Sequence, residues 1–178
     1  MLTIHELEEA VAALKGGDLG ETQEQWSPQI SLGTSVLIPE SYVSDLQLRL
    51  GLYRRLSTLE KRTDIDGFAA ELVDRFGELP EEVKHLLDVV EIKAFAKQGG
   101  LQAVDVGPKG AVIAFRKNQF ANPEGLVAFI GRRRNAARMQ PDHKLVYKAD
   151  WATPAARLAG VRGLVRELAE VAATRKAA

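Results

Sequence analysis

Ile4, Leu7, Val11 and Leu14 recur at spacings of three and four, which predicts a helix over Ile4–Leu14 with one apolar stripe. Thr3 and Glu6 form a capping box at its start, and Gly16-Gly17 ends it. From Asp18 to about Pro28 the chain is polar and, Trp26 apart, poor in residues that pack, which predicts a linker. Gln29 to Ile38 alternates as an extended segment, with Gly33 allowing a bend and Pro39 stopping it. Ser41 to Leu59 is expected to be helical, with Leu46, Leu50, Tyr53 and Leu56 on one side. A turn is expected around Thr63-Asp64, then a helix ending at Arg75-Phe76 with Gly77 as its C′ residue.

Pro80 marks a further helix start, because the first helical turn does not need its missing N–H. That helix is expected to reach about Lys97, turning Val83, Leu86, Leu87, Val90 and Ala94 inward, and Gly99-Gly100 closes it. Leu101–Val106 and Ala111–Phe115 alternate in the strand manner around Gly107-Pro108-Lys109-Gly110, which predicts a hairpin. Asn122-Pro123 opens a short helix through Ile130, and His143–Tyr147 is a short strand. Leu158, Val161, Leu164, Val165, Leu168 and Val171 build a last helix over Pro154–Thr174. Neighbouring strands are expected to pair as hairpins and not through helical crossovers, with the connection to the last strand left open. The fold class is therefore α+β: a small antiparallel or mixed sheet packed against several helices.

Composition narrows the function classes. The chain has 178 residues, 46% hydrophobic but only 6% aromatic, so its core is aliphatic. Lys+Arg and Asp+Glu both number 24, so no net basic field exists to grip nucleic acid. The absence of cysteine removes disulfides, thiolate catalysis and thiolate metal sites. No leader-like N-terminus and no long apolar run are found, which predicts a cytoplasmic location and no membrane partner. No P-loop occurs, and His5, His85 and His143 stand apart without metal-ligand spacing. No catalytic residues, no metal site and no cofactor are expected.

Two clusters carry possible recognition chemistry. Glu71, Asp74 and Arg75 stand at i, i+3 and i+4 just before a helix stop, and so project from one face. They form either a solvated face with an internal Glu71–Arg75 pair, worth about 0.3–0.5 kcal/mol, or a charged patch that docks a partner's arginines and aromatics. Arg132, Arg133 and Arg134, with Arg138 and Lys144 nearby, could contact nucleic-acid phosphate. Cations are also favoured at a helix C-terminus, and no aromatic residues interleave these arginines.

Leu48-Arg49-Leu50-Gly51-Leu52-Tyr53-Arg54-Arg55-Leu56 and Glu71-Leu72-Val73-Asp74-Arg75-Phe76-Gly77-Glu78-Leu79-Pro80 together resemble two signatures of one family. Leu86-Leu87 and the opening Leu7–Gly16 segment extend the likeness. The family is the C-terminal domain of bacterial transcription-repair coupling factor. The resemblance implies a non-enzymatic fragment of a large ATP-driven DNA translocase that displaces stalled RNA polymerase and recruits UvrA for excision repair. It implies a tail of the translocase module and a linker over residues 1–28, and a regulatory domain over 29–178. It further implies that this domain masks the N-terminal UvrA-binding module of the same protein, with Glu71, Asp74 and Arg75 as the docking residues. An accessory nucleic-acid-binding domain centred on Arg132–Arg138 is the alternative.

Overall fold

The computed structural model describes residues 26–32 and 36–174. The expected helix over Ile4–Leu14, nearly all of the tail and linker over 1–28, and the bend at Gly33 lie outside the described residues. In chain order the elements are β1 (Gln29–Ser31), α1 (Leu46–Leu56), α2 (Arg62–Phe76), α3 (Glu81–Gln98), β2 (Leu101–Gly107) and β3 (Gly110–Phe115). A short 3-10 turn (Arg116–Asn118), α4 (Pro123–Arg132), β4 (Ala137–Met139), β5 (Lys144–Lys148) and α5 (Pro154–Ala173) follow. The class is α+β with a mixed sheet, as the sequence predicts.

The described residues divide into two compact units. Of the described residues, the helical unit holds Trp26 and 36–94, and the sheet unit holds 27–32 and 95–174, so the chain leaves the sheet after β1 and returns at Phe95.

In the helical unit, Asp45 caps α1 by accepting from the Leu48 N–H at 3.3 Å. Helix α1 is shorter than the expected Ser41–Leu59, because the chain turns at 40–42 and the cap sets the start. Thr63 and Asp64 form no turn; both lie in the first turn of α2, where the Asp64 carboxylate complements the helix dipole. Gly77 ends α2 at φ +98°, a conformation that glycine adopts without a Cβ penalty. The Tyr42 hydroxyl fastens this end, with its oxygen 2.7 Å from the Gly77 carbonyl and 3.1 Å from that of Leu72. Ile65, Phe68 and Leu72 of α2 are buried, as are Leu52, Tyr53 and Leu56 of α1. On the part of α3 within this unit the buried positions are Val83, Leu86, Leu87, Val89, Glu91 and Ile92, whereas the expected Val90 and Ala94 are only half-buried. The Glu91 carboxylate is buried and held by Arg62 at 2.8 Å.

In the sheet unit the strand order is β1-β2-β3-β5-β4. β1 runs parallel to β2, and every other pairing is antiparallel. A crossover containing three helices joins β1 to β2, against the expected run of hairpins; Pro39 and the Asp45 cap divert the chain into helices before it can reverse. Gln102 is an extra residue in the β2–β3 ladder. Gly110 closes the hairpin at φ +132°, with the Tyr147 carbonyl filling the place a Cβ would need. Asn122 and Thr153 cap α4 and α5 through their side-chain oxygens. Helix α5 packs on β2, β3 and α4, burying Leu158, Val161, Leu164, Val165 and Leu168. Val171 is half-buried, and Ala172 takes the inward place beside it.

Candidate docking face

The last two turns of α2 carry Glu71, Asp74 and Arg75 outside the apolar side formed by Ile65, Phe68 and Leu72. Asp74 is exposed and has no ion-pair or hydrogen-bond partner among the described residues. Val73 beside it is 47% exposed. Arg75 donates to Glu71 Oε2 at 3.1 Å and lies 4.9 Å from the centre of the Phe76 ring. The internal Glu71–Arg75 pair is therefore formed.

Glu71 has a second partner that sequence spacing does not reveal. Arg55, near the end of α1, donates from Nη1 to Oε2 and from Nη2 to Oε1, both at 2.7 Å. Its guanidinium also lies 4.8 Å from the centre of the buried Phe68 ring. Arg55 and then Arg75 hold the Glu71 carboxyl down at about 2, well below its ordinary 4.5, because their hydrogen bonds favour the charged form. The return interaction raises the Arg55 guanidinium above its ordinary value. Glu71 thus has three of its roughly four acceptor positions taken, and Asp74 is the open carboxylate of the trio.

The basic cluster of the sheet unit is placed differently. Arg132 is the last residue of α4 and Arg133 caps it. Arg133 forms a close ion pair with Glu167 of α5, donates to the Tyr147 hydroxyl at 2.9 Å and lies 5.1 Å from the Phe129 ring centre. Arg132 approaches the same Glu167 at 3.6 Å. Arg134 and Arg138 are exposed, the second on the short edge strand β4. The four arginines do not act as one open patch, since Glu167 engages two of them. His85 stands 3.6 Å from Glu81, and His143 sits in the turn before β5 at φ +68°. Among the described residues no three histidine, aspartate or glutamate side chains converge as metal ligands, and no helix is long and apolar enough to cross a membrane.

Comparison with known proteins places these features in a family. A family model described as the TRCF domain matches residues 32–126. The chain is 40% identical over 141 residues to the transcription-repair-coupling factor of Rickettsia prowazekii (strain Madrid E), covering 79% of this chain and 12% of that protein. It is 30% identical over 166 residues to that of Escherichia coli (strain K12), covering 92% of this chain and 14% of that protein. The chain therefore spans about an eighth of the curated relatives it matches. A crystal structure of the C-terminal domain of transcription-repair coupling factor shares the fold, with a TM-score of 0.70 at 20% identity over 86% of this chain and 99% of that one. The family-model match runs from the end of β1 through α1 to α3 and the hairpin into α4, and so takes in both signature stretches. On that match the chain belongs to the TRCF-domain family of transcription-repair coupling factors.

Proposed function

We propose that this domain is a regulatory interaction module that masks the N-terminal UvrA-binding module of its own parent protein at rest. The parent is an ATP-driven DNA translocase that displaces stalled RNA polymerase and recruits UvrA; this domain holds it in the repressed state. Asp74 carries the proposal: an exposed carboxylate without a partner among the described residues, beside Arg75 and the exposed Val73 at one helix end. A free carboxylate next to a guanidinium suits a partner that brings cations, and it has little to do for the domain's own fold.

The test separates folding from repression. Substitution of an exposed residue outside caps and core changes stability by about 0.5 kcal/mol or less. Asp74→Ala is therefore expected to leave the melting temperature of this chain nearly unchanged. In the full-length coupling factor the same substitution is expected to raise UvrA capture and basal ATPase activity, because the closed state loses contacts that the open state never had. If Asp74→Ala unfolds the domain, or leaves UvrA capture by the full-length protein unchanged, the docking role is wrong.

A further inference from the structure

We infer that Arg55 of α1 is a positioning residue of the docking face, acting through Glu71 to aim Arg75 rather than touching the partner itself. The inference rests on the docking role proposed for the end of α2. Its basis is the pair of 2.7 Å bonds that carry both Glu71 oxygens to one guanidinium on another helix. With Arg75 as third donor, three N–H groups converge on a single carboxylate. Glu71 then has little capacity left for a partner's cation. What it can do is fix its neighbours.

Arg75 spends one N–H on Glu71 and lies over the Phe76 ring, which leaves its other donors for a partner. Arg55 is itself held from two sides, by the carboxylate and by the face of Phe68. The order of support therefore runs from the Phe68 face to Arg55, to Glu71, to Arg75. The two signature stretches of the sequence meet at this one contact, Arg55 from the first and Glu71 from the second. The arrangement also divides the labour of the trio. Asp74 and Arg75 offer the open groups of the trio, while Glu71 mainly holds Arg75 in place.

A lysine at position 55 keeps the charge but cannot bind a carboxylate through two parallel bonds. Arg55→Lys, Glu71→Gln, the double variant and Asp74→Ala would be made in the full-length coupling factor. Capture of purified UvrA would be measured for each, with the melting temperature of this chain as the folding control. Arg55→Lys is expected to raise UvrA capture by about two- to five-fold, the range of exposed ion-pair couplings. It is expected to add nothing in the Glu71→Gln background, because its route runs through Glu71. An increase that persists in that background means that Arg55 meets the partner directly, and overturns the inference. So does a collapse of the melting temperature with Arg55→Lys, which would make the pair a structural tether. If Asp74→Ala raises capture and Arg55→Lys does not, this inference alone fails. If neither changes capture, the docking role fails and takes the inference with it.

Discussion

Glu71 titrates in the company of two guanidinium groups, and its pH behaviour follows from that. Its carboxyl is lowered from 4.5 to about 2 by hydrogen bonds from Arg55 first and Arg75 second. A carboxylate whose folded value is depressed adds stability above its unfolded value and loses that contribution as pH falls through the folded one. The Glu71 contribution is therefore fully present above about 4.5 and fades between about 4.5 and 2. Melting curves of the chain and of Glu71→Gln are expected to differ at neutral pH and to converge across that window, and a carboxyl carbon titration by NMR should find Glu71 charged well below pH 4. A difference that stays constant from neutral pH down to pH 2 would show that the two arginines do not hold the carboxylate. The trio was partly legible in the sequence. Spacing of three and four puts Glu71, Asp74 and Arg75 on one face and implies the Glu71–Arg75 pair. Arg55 was not legible as a partner, since it lies sixteen residues away on another helix and no local pattern joins them. Tyr42, which fastens the Gly77 end of α2, was missed for the same reason.

At the scale of elements, sequence signals succeeded where they were local. Gly77, Gly100 and Asn122 mark helix ends or starts through their own backbone freedom or side-chain oxygen, and each lies where it was expected. The hairpin at Gly107–Gly110 follows from turn chemistry in the same way. The signals failed where long-range pairing decides. β1 is only three residues long and gains its place by parallel pairing with β2 across three helices, which no window of sequence contains. β4 was missed because Ala137-Arg138-Met139 has no alternation of its own and is a strand only beside β5. Close packing within the sheet unit offers a sharp test. A Cβ on Gly160 of α5 would lie 2.2 Å from the Trp151 indole, and Trp151 is buried. Gly160→Ala must push the ring aside, so helix propensity that favours alanine is outweighed by overpacking of about 1–3 kcal/mol. The expected result is a lower melting temperature with an altered near-ultraviolet tryptophan signal; a stabilised variant with an unchanged signal would contradict this packing.

For the molecule as a whole, charge decides between a protein-docking module and a nucleic-acid grip. Lys+Arg and Asp+Glu balance at 24 each, so no long-range field draws the chain to a phosphate backbone. The one arginine-rich run is half consumed within its own unit, because Glu167 binds both Arg132 and Arg133. Arg133 is therefore a poor probe of DNA binding. Arg133→Glu would set a second carboxylate against Glu167 and forfeit the bond to the Tyr147 hydroxyl. For a fully buried pair that loss costs about 3–5 kcal/mol; at roughly one-third exposure it falls to about 1–2 kcal/mol. In a domain of this size the melting temperature is then expected to drop by roughly 3–8 °C. Arg134 and Arg138 are exposed, so their reversal to glutamate tests nucleic acid without disturbing that pair. Fluorescence anisotropy with duplex DNA at physiological salt is expected to find binding no tighter than about micromolar, the non-specific range. The Arg134→Glu/Arg138→Glu double variant should melt like the parent chain. Sub-micromolar, salt-sensitive affinity that the double variant abolishes at unchanged melting temperature would make the domain a DNA-binding accessory. Its regulatory face would then have to be sought on the sheet unit, not at the end of α2.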